Sequence, residues 1–260
     1  MSKISQPADL DRRLTGTRTL YGDSVDSFAT AHVYVIGVGG VGSWAVEALA
    51  RTGVGTITLV DMDVLVESNI NRQLPALTDT MGVSKIEAMR ERIHGINPSI
   101  SVRLIDDFLT PDNVADILPD RQSVRDLKAQ GKAVVVLDCV DDMNAKLAIA
   151  LHCRFHKLKL VVSGGGGGKI DPSKVAVADL KDVYQDPLLA KLRSQLRAKN
   201  INASLKEKFG IKCVYSSEPL KLATSCQTGL NCGGYGSAVV VTSVIGMVMA
   251  SECLSIITKY

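Results

Sequence analysis

The stretch HVYVIGVGGVGSWAVEALA, residues 32 to 50, limits the possible folds of this chain more than any other. HVYVI reads as a strand and runs into Gly37-Val-Gly39-Gly40-Val-Gly42, after which apolar residues recur at helical spacing. A strand, a glycine turn and a helix in that order open a nucleotide-binding βαβ unit. The glycines let backbone approach phosphate, and the helix start offers N–H donors and the positive end of its dipole. Gly53 and Gly55 close the helix, and TITLV (56 to 60) gives a second strand ending at Asp61, an acid placed to hold ribose hydroxyls. Alone, this pattern says nucleotide, and its ordinary meaning is a dinucleotide site.

The rest of the chain repeats the alternation. VSKIEAMRERI (83 to 93) has helical spacing and is stopped by Asn97-Pro98, and SISVRLI (100 to 106) alternates like a strand. PDNVADIL predicts a short helix with proline at its start, and residues 119 to 132 read as a polar connection. KAVVVLDCV (132 to 140) predicts a buried strand, MNAKLAIALHCRFH (143 to 156) a helix, and LKLVVS (158 to 163) a strand that runs into five glycines. Beyond them, DPSKVAVADL reads as the start of a strand, DPLLAKLRSQLRAK (186 to 199) as an amphipathic helix, and residues 200 to 235 as irregular. Alternating strands and helices predict an α/β, Rossmann-like, doubly wound and mainly parallel sheet. With 260 residues, 46% of them hydrophobic, the chain has material for one such domain. Residues 1–163 would form its nucleotide-binding core and 164–260 a C-terminal elaboration.

VESNINRQ, residues 66 to 73, departs from a dehydrogenase pattern. It sets Asn69, Arg72 and Gln73 just past the second strand, at the carboxyl edge where ligands of such sheets bind. Lys85 opens the next helix, Asp63 follows Asp61 closely, and Asp141 in LDCVDD ends another strand at the same edge. Breaking the bond between the α- and β-phosphates of a triphosphate calls for such cations and for a divalent metal. Singly, each has a plainer explanation: Arg72 a surface ion pair, Lys85 a solvated helix residue, Asp141 a helix N-cap. Their convergence on one edge is what favours phosphate chemistry over hydride transfer.

GVGGVGSWAVEALARTGVGTITLVDMDVLVESNINRQ, with VSK and LDCVDD downstream, resembles the ubiquitin-activating-like adenylating family of ThiF, MoeB and HesA type, over roughly residues 12 to 170. The resemblance implies ATP and Mg2+ as cofactors and activation of a carboxylate as its adenylate. It puts Arg72, Lys85 and Asn69 at the phosphates, Asp61 at the ribose and Asp141 at magnesium. It also implies a homodimer in which an N-terminal arginine, Arg18 or else Arg13, reaches the phosphates, often from the other subunit. Sulfur-carrier activators of this family usually bear two CxxC pairs, and the six cysteines here (139, 153, 213, 226, 232 and 253) form none. WAVEALARTGVGTITLVDMD, NINRQ, DDFLTPDNVA, a glycine-rich turn before KIDP, and QDPLLAKLRSQLR are similar instead to the tRNA threonylcarbamoyladenosine dehydratases, over nearly the whole chain. That branch implies a tRNA-borne carboxylate as substrate, adenylated and then cyclised with net loss of water. A ubiquitin-like carrier protein and a non-catalytic nucleotide- or tRNA-binding role are the alternatives.

Charge supports a polyanionic partner. Residues 143 to 212 hold 14 Lys/Arg against 5 Asp/Glu, a net +9, while the remainder holds 16 against 22, a net −6. Lys191, Arg193, Arg197, Lys199, Lys206 and Lys208 are the expected tRNA contacts, to phosphate and sugar since few aromatics lie among them. Cys226 and Cys232 read as loop packing, with a sulfur-accepting role beside a cysteine desulfurase as the functional alternative. Gly164 to Gly168 would frame the substrate or, as the resemblance to some relatives implies, a monovalent cation, Na+ or K+, held by carbonyls; a flexible turn is the competing explanation. The start MSKISQPADLDRRL has no apolar core of a signal peptide, which predicts a cytoplasmic protein. SAVVVTSVIGMVMASECLSII (237 to 257) has the length of a membrane span, yet its Ser, Thr and Glu residues predict a buried core helix.

Overall fold

The computed structural model describes residues 9–202, 204, 207–221 and 236–259. Two helices precede the nucleotide unit, α1 (Leu10–Tyr21) and α2 (Ser24–Thr30). Then come β1 (His32–Ile36), α3 (Gly42–Arg51), β2 (Thr56–Val60), α4 (Lys85–Ile96) and β3 (Ser101–Ile105). α5 (Val114–Ile117), α6 (Arg121–Ala129), β4 (Val134–Asp138), α7 (Met143–His156) and β5 (Lys159–Ser163) follow. The chain continues through β6 (Val175–Asp179), α8 (Pro187–Ala198) and β7 (Lys212–Ser216), and ends in α9 (Val239–Ile257).

One sheet of order β3-β2-β1-β4-β5-β7-β6 holds all seven strands, parallel except for β6, which runs antiparallel to β7. The order reverses between β1 and β4, and that switch point leaves a crevice at the carboxyl ends of the strands. β1 and β4 are apolar almost throughout because helices cover both faces of the sheet. On one face α3, α4 and α9 pack, with Val46, Leu49, Met89, Ile245 and Met249 fully buried. On the other, α7 and α8 bury Ile149, Leu189 and Leu192 against β4, β5 and β7.

Three sequence expectations need correction. Residues 121 to 129, expected as a polar connection, form α6, which is capped by Asp120 and buries only Val124. Residues 200 to 235, expected as irregular throughout, contain β7, which inserts between β5 and β6 and carries the sheet past residue 163. Pro111 does not open a helix: Asn113 does, its side chain accepting from the Thr110 N–H at 2.8 Å. α9 is long and apolar enough to cross a membrane; here one face of it packs against α3, β4, β5 and β7, while Val240 and Met247 are exposed.

Candidate active site

A cavity of about 1150 Å3 opens at the switch point. It exceeds the roughly 300–1,000 Å3 usual for one small-molecule site. Its near wall is the loop after β1. Gly37 there has φ +86°, and a Cβ on Gly42 would stand 1.9 Å from the Gly37 carbonyl oxygen, so the turn closes only with glycine at both. Asp61 fastens this loop: Oδ2 accepts from the Val38 N–H at 2.7 Å and Oδ1 from the Asp63 N–H at 3.0 Å. Lys85 is buried behind the pair, its ammonium 2.6 Å from Asp63 and 3.9 Å from Asp61. A solvated helix lysine it is not.

VESNINRQ folds as a short turn that lays two side chains over the glycine loop. Asn69 is buried and its Oδ1 accepts from the Val66 N–H at 3.1 Å, while its carbonyl receives the Arg72 and Gln73 N–H groups. Asn69 therefore shapes the turn and does not line the cavity. Arg72 does line it, lying across Gly40, where a Cβ would come within 3.0 Å of Arg72 Cγ. Its guanidinium donates to the Ser68 carbonyl and the Asn71 amide oxygen. Gln73 faces Gly39, is 5% exposed, and leaves its Oε1 with no hydrogen-bond partner. An orphaned buried acceptor at a cavity wall fits a bound hydroxyl or water.

The loop after β4 supplies Asp141 and Asp142, and the two differ in use. Asp142 caps α7 through the Ala145 N–H at 2.8 Å, whereas the exposed carboxylate of Asp141 faces the cavity with no partner among the described residues. No group of three or more His, Cys, Asp or Glu able to hold a metal occurs among the described residues. One free carboxylate suits magnesium, which takes one or two carboxylates and completes its shell with substrate phosphates. Beneath the loop, Asp138 and Lys146 form a fully buried pair at 2.9 Å, and Lys146 also donates to the Ser163 carbonyl at 3.3 Å. Burial pushes the Asp138 carboxyl up against the pull of Lys146. The pair ties the ends of β4 and β5, the two strands that deliver Asp141 and the glycine run.

The far wall comes from residues beyond 163. Asp186 caps α8 through the Leu189 N–H at 2.9 Å and accepts from the Gly165 N–H at 2.9 Å with its other oxygen. It is 3% exposed, and burial pushes its carboxyl up. A Cβ on Gly164 would fall 2.2 Å from Asp186 Oδ2, which explains part of the glycine run. Lys169, also buried, donates to the carbonyls of Gln185 (2.9 Å), Ser216 (3.1 Å) and Glu218. A fixed positive charge thus already sits in that carbonyl cradle.

A model of the ThiF family matches residues 11–260. The chain belongs to the ThiF family. It is 43% identical over 258 residues to the tRNA threonylcarbamoyladenosine dehydratase of Escherichia coli K12, covering 94% of this chain and 92% of that protein. The dehydratase of Haemophilus influenzae is 40% identical over 257 residues, covering 96% and 94%. A crystal structure of the E. coli dehydratase in complex with ATP superposes with TM-score 0.84 at 41% identity, covering 98% of both chains. Its complex with AMP gives 0.83 at 41%, again covering 98% of both.

Against this ThiF frame, Gly37, Gly39, Gly40, Asp61, Asp63, Arg72, Gln73 and Asp141 line the cavity, and Gly42 shapes its loop. Lys85 and Asn69 stand one layer back. Arg18 pairs with Asp26 at 2.8 Å on the surface, and Arg13 donates to the Ile96 carbonyl where α4 ends, so neither reaches the cavity of its own chain. Of the expected tRNA contacts, Lys191 lines the cavity, and Lys199 and Lys208 are exposed. Two turn inward instead of facing solvent. Arg193 donates to the carbonyls of Leu180 and Val183 at 2.9 and 2.8 Å, and the Arg197 guanidinium stands 5.5 Å over the Phe209 ring. Lys206, Cys226 and Cys232 lie outside the described residues. Cys139, Cys153, Cys213 and Cys253 are free thiols pushed up by burial, unsuited to nucleophilic work. Sequence reasoning missed Lys169, Asp186 and Thr242, which only the chain's return across β5 and β7 brings to the cavity.

Proposed function

We propose that this chain dehydrates threonylcarbamoyladenosine in tRNA in an ATP-dependent reaction. The threonyl carboxylate attacks the α-phosphorus of ATP, pyrophosphate leaves, and the carboxyl becomes a mixed anhydride with AMP. A nitrogen of the same modification then closes on the activated carbonyl, expels AMP and gives up its proton, for a net loss of one water from the nucleoside. The observation that carries the reading is the full-length likeness to dehydratases, at up to 43% identity, over a chain whose cavity joins a nucleotide loop to a second wall.

In this reading Gly37–Gly42 and Arg72 hold the phosphates, Asp61 the ribose, and Gln73 offers its unpaired oxygen to a ligand hydroxyl. Lys85 holds the Asp61–Asp63 wall in place through its two ion pairs. A magnesium ion held by Asp141 and the phosphates would neutralise charge on the departing pyrophosphate. The test is mass spectrometry of nucleosides from threonylcarbamoylated tRNA incubated with protein and Mg-ATP. A loss of one water that requires ATP, and that disappears with EDTA or with Asp141→Ala, supports the reading. An unchanged nucleoside in the presence of wild-type protein sinks it.

The reading includes a homodimer acting in the cytoplasm, where its tRNA is found. Two features support self-association: Arg18 cannot serve its own site, and Met62, Val64, Val66, Ile70 and Leu77 expose apolar surface on the segment that follows β2. If Arg18 works across the dimer, mixing inactive Arg18→Ala and Asp141→Ala proteins restores one intact site per mixed dimer. Random exchange then gives about a quarter of wild-type activity. No recovery in a mixture shown to exchange subunits removes Arg18 from the site.

A further inference from the structure

The cavity is poor surroundings for an anion on the side away from the glycine loop. Asp61 and Asp63 belong to the glycine-loop wall, but Asp141, Asp142 and Asp186 stand away from it, and the whole lining holds three cations, Arg72, Lys169 and Lys191. Arg72 lies over Gly40 on the β1–β2 side, and Lys169 is buried and spends its donors on three carbonyls. Lys191 alone among these three has neither ion pair nor side-chain hydrogen bond among the described residues. It sits in the second turn of α8, on the side of β4 and β5, across the crevice from Arg72. That helix is held firmly at its start: Asp186 bonds Leu189 on one side and Gly165 of the cavity wall on the other, and Leu189, Leu192 and Leu196 are buried. A free ammonium on a fixed element is a prepared contact for a negative group.

We infer that the far half of the cavity seats the carboxylate end of the substrate and that Lys191 receives that carboxylate. This deepens the dehydration reading and rests on it. The nucleotide phosphates occupy the near half, so the anion left for Lys191 is the group to be adenylated. Placed there, Lys191 offsets repulsion from Asp141, Asp142 and Asp186 while the carboxylate approaches. It makes Lys191 a determinant of specificity for carboxylated over uncarboxylated nucleosides.

The experiment compares wild type, Lys191→Gln and Lys191→Arg in binding two tRNAs that differ only in the threonylcarbamoyl group, with ATP binding measured alongside. Lys191 is exposed, so the variants should keep the wild-type Tm, which is checked first. The expected result for Lys191→Gln is a loss of about 10–100-fold in affinity for the carboxylated tRNA, the scale of one charged hydrogen bond. Affinity for the unmodified tRNA and for ATP should stay within about twofold, and Lys191→Arg should recover part of the loss. Equal losses for both tRNAs would make Lys191 a backbone-phosphate contact and overturn the proposal, as would weakened ATP binding or no loss at all. Turnover by wild type reports separately: if it binds both tRNAs yet never dehydrates, the reaction fails while the binding comparison still decides the seat.

Discussion

At the scale of single residues, chemistry here depends on which of two like side chains is already occupied. Asp141 and Asp142 are adjacent carboxylates, yet Asp142 is held by the Ala145 N–H and Asp141 by nothing described. Asp141→Asn should therefore abolish turnover with little change in Tm. Asp142→Ala should cost about 1 kcal/mol of stability, the usual worth of an N-cap, with thermal unfolding separating the two. Arg193 makes the same point among the cations. The sequence puts it on a basic helix face, but its guanidinium joins the Leu180 and Val183 carbonyls that lead from β6 to α8. Arg193→Ala should lower stability by about 1–3 kcal/mol through orphaned carbonyls, or roughly 2–10 °C in Tm for a chain of this size. An unchanged Tm with weakened tRNA binding would return it to the phosphate-contacting set. Gly42→Ala is the sharpest test at the nucleotide loop. Its methyl would meet the Gly37 carbonyl oxygen at 1.9 Å, so ATP affinity by calorimetry should fall at least about tenfold. Wild-type affinity would mean the loop can open.

Among the elements, what could be read in the sequence was what carries periodicity. β1, β2, β4 and α7 stand within about two residues of where their apolar patterns put them, because buried strands and two-sided helices must be apolar. α6 escaped because its apolar stripe is only two residues, Val124 buried and Leu127 packed beside it, in an otherwise polar RQSVRDLKA. α1 escaped likewise: LDRRLTGTRTLY is mostly exposed and meets the rest through scattered contacts, Leu14 on Gly53, Arg13 at the Ile96 carbonyl and Tyr21 edge-on to Phe28. β7 escaped because its apolar run, Phe209 to Tyr215, is short and flanked by Ser-, Asn- and Gly-bearing sequence, although Ile211, Cys213, Val214 and Tyr215 are all buried. The candidate site divides the same way. Its near wall lies in one contiguous motif, whereas Lys169, Asp186, Lys191 and Thr242 meet it from positions up to 73 residues apart in the chain, and no local pattern encodes that meeting.

For the molecule as a whole, the sheet's tight covering sets how stability responds to acid. His32 opens the central strand β1, stacks on Tyr34 with ring centroids 4.3 Å apart, and lies 2.8 Å from the Thr58 hydroxyl of β2. Burial, with Arg103 adding repulsion, brings its pKa down to about 4. His152, its ring tilted against that of His156 beside α6, is lowered for the same first reason, burial. A histidine whose folded pKa lies below its unfolded value of about 6.5 binds its proton more readily in the unfolded chain. Its contribution is complete above pH 6.5 and drains away as pH falls toward 4. For His32, going from pH 7 to pH 5 removes about 1–2 kcal/mol. The buried carboxyls of Asp138 and Asp186 are shifted upward, so they favour the folded state increasingly as pH falls, and the raw curve is a difference of opposed slopes. His32→Gln isolates one of them. Urea unfolding at pH 7 and pH 5 should show wild type losing about 1–2 kcal/mol more than the variant over that interval. Parallel losses would mean that His32 accepts a proton in place, and that the amino edge of the sheet is open to water.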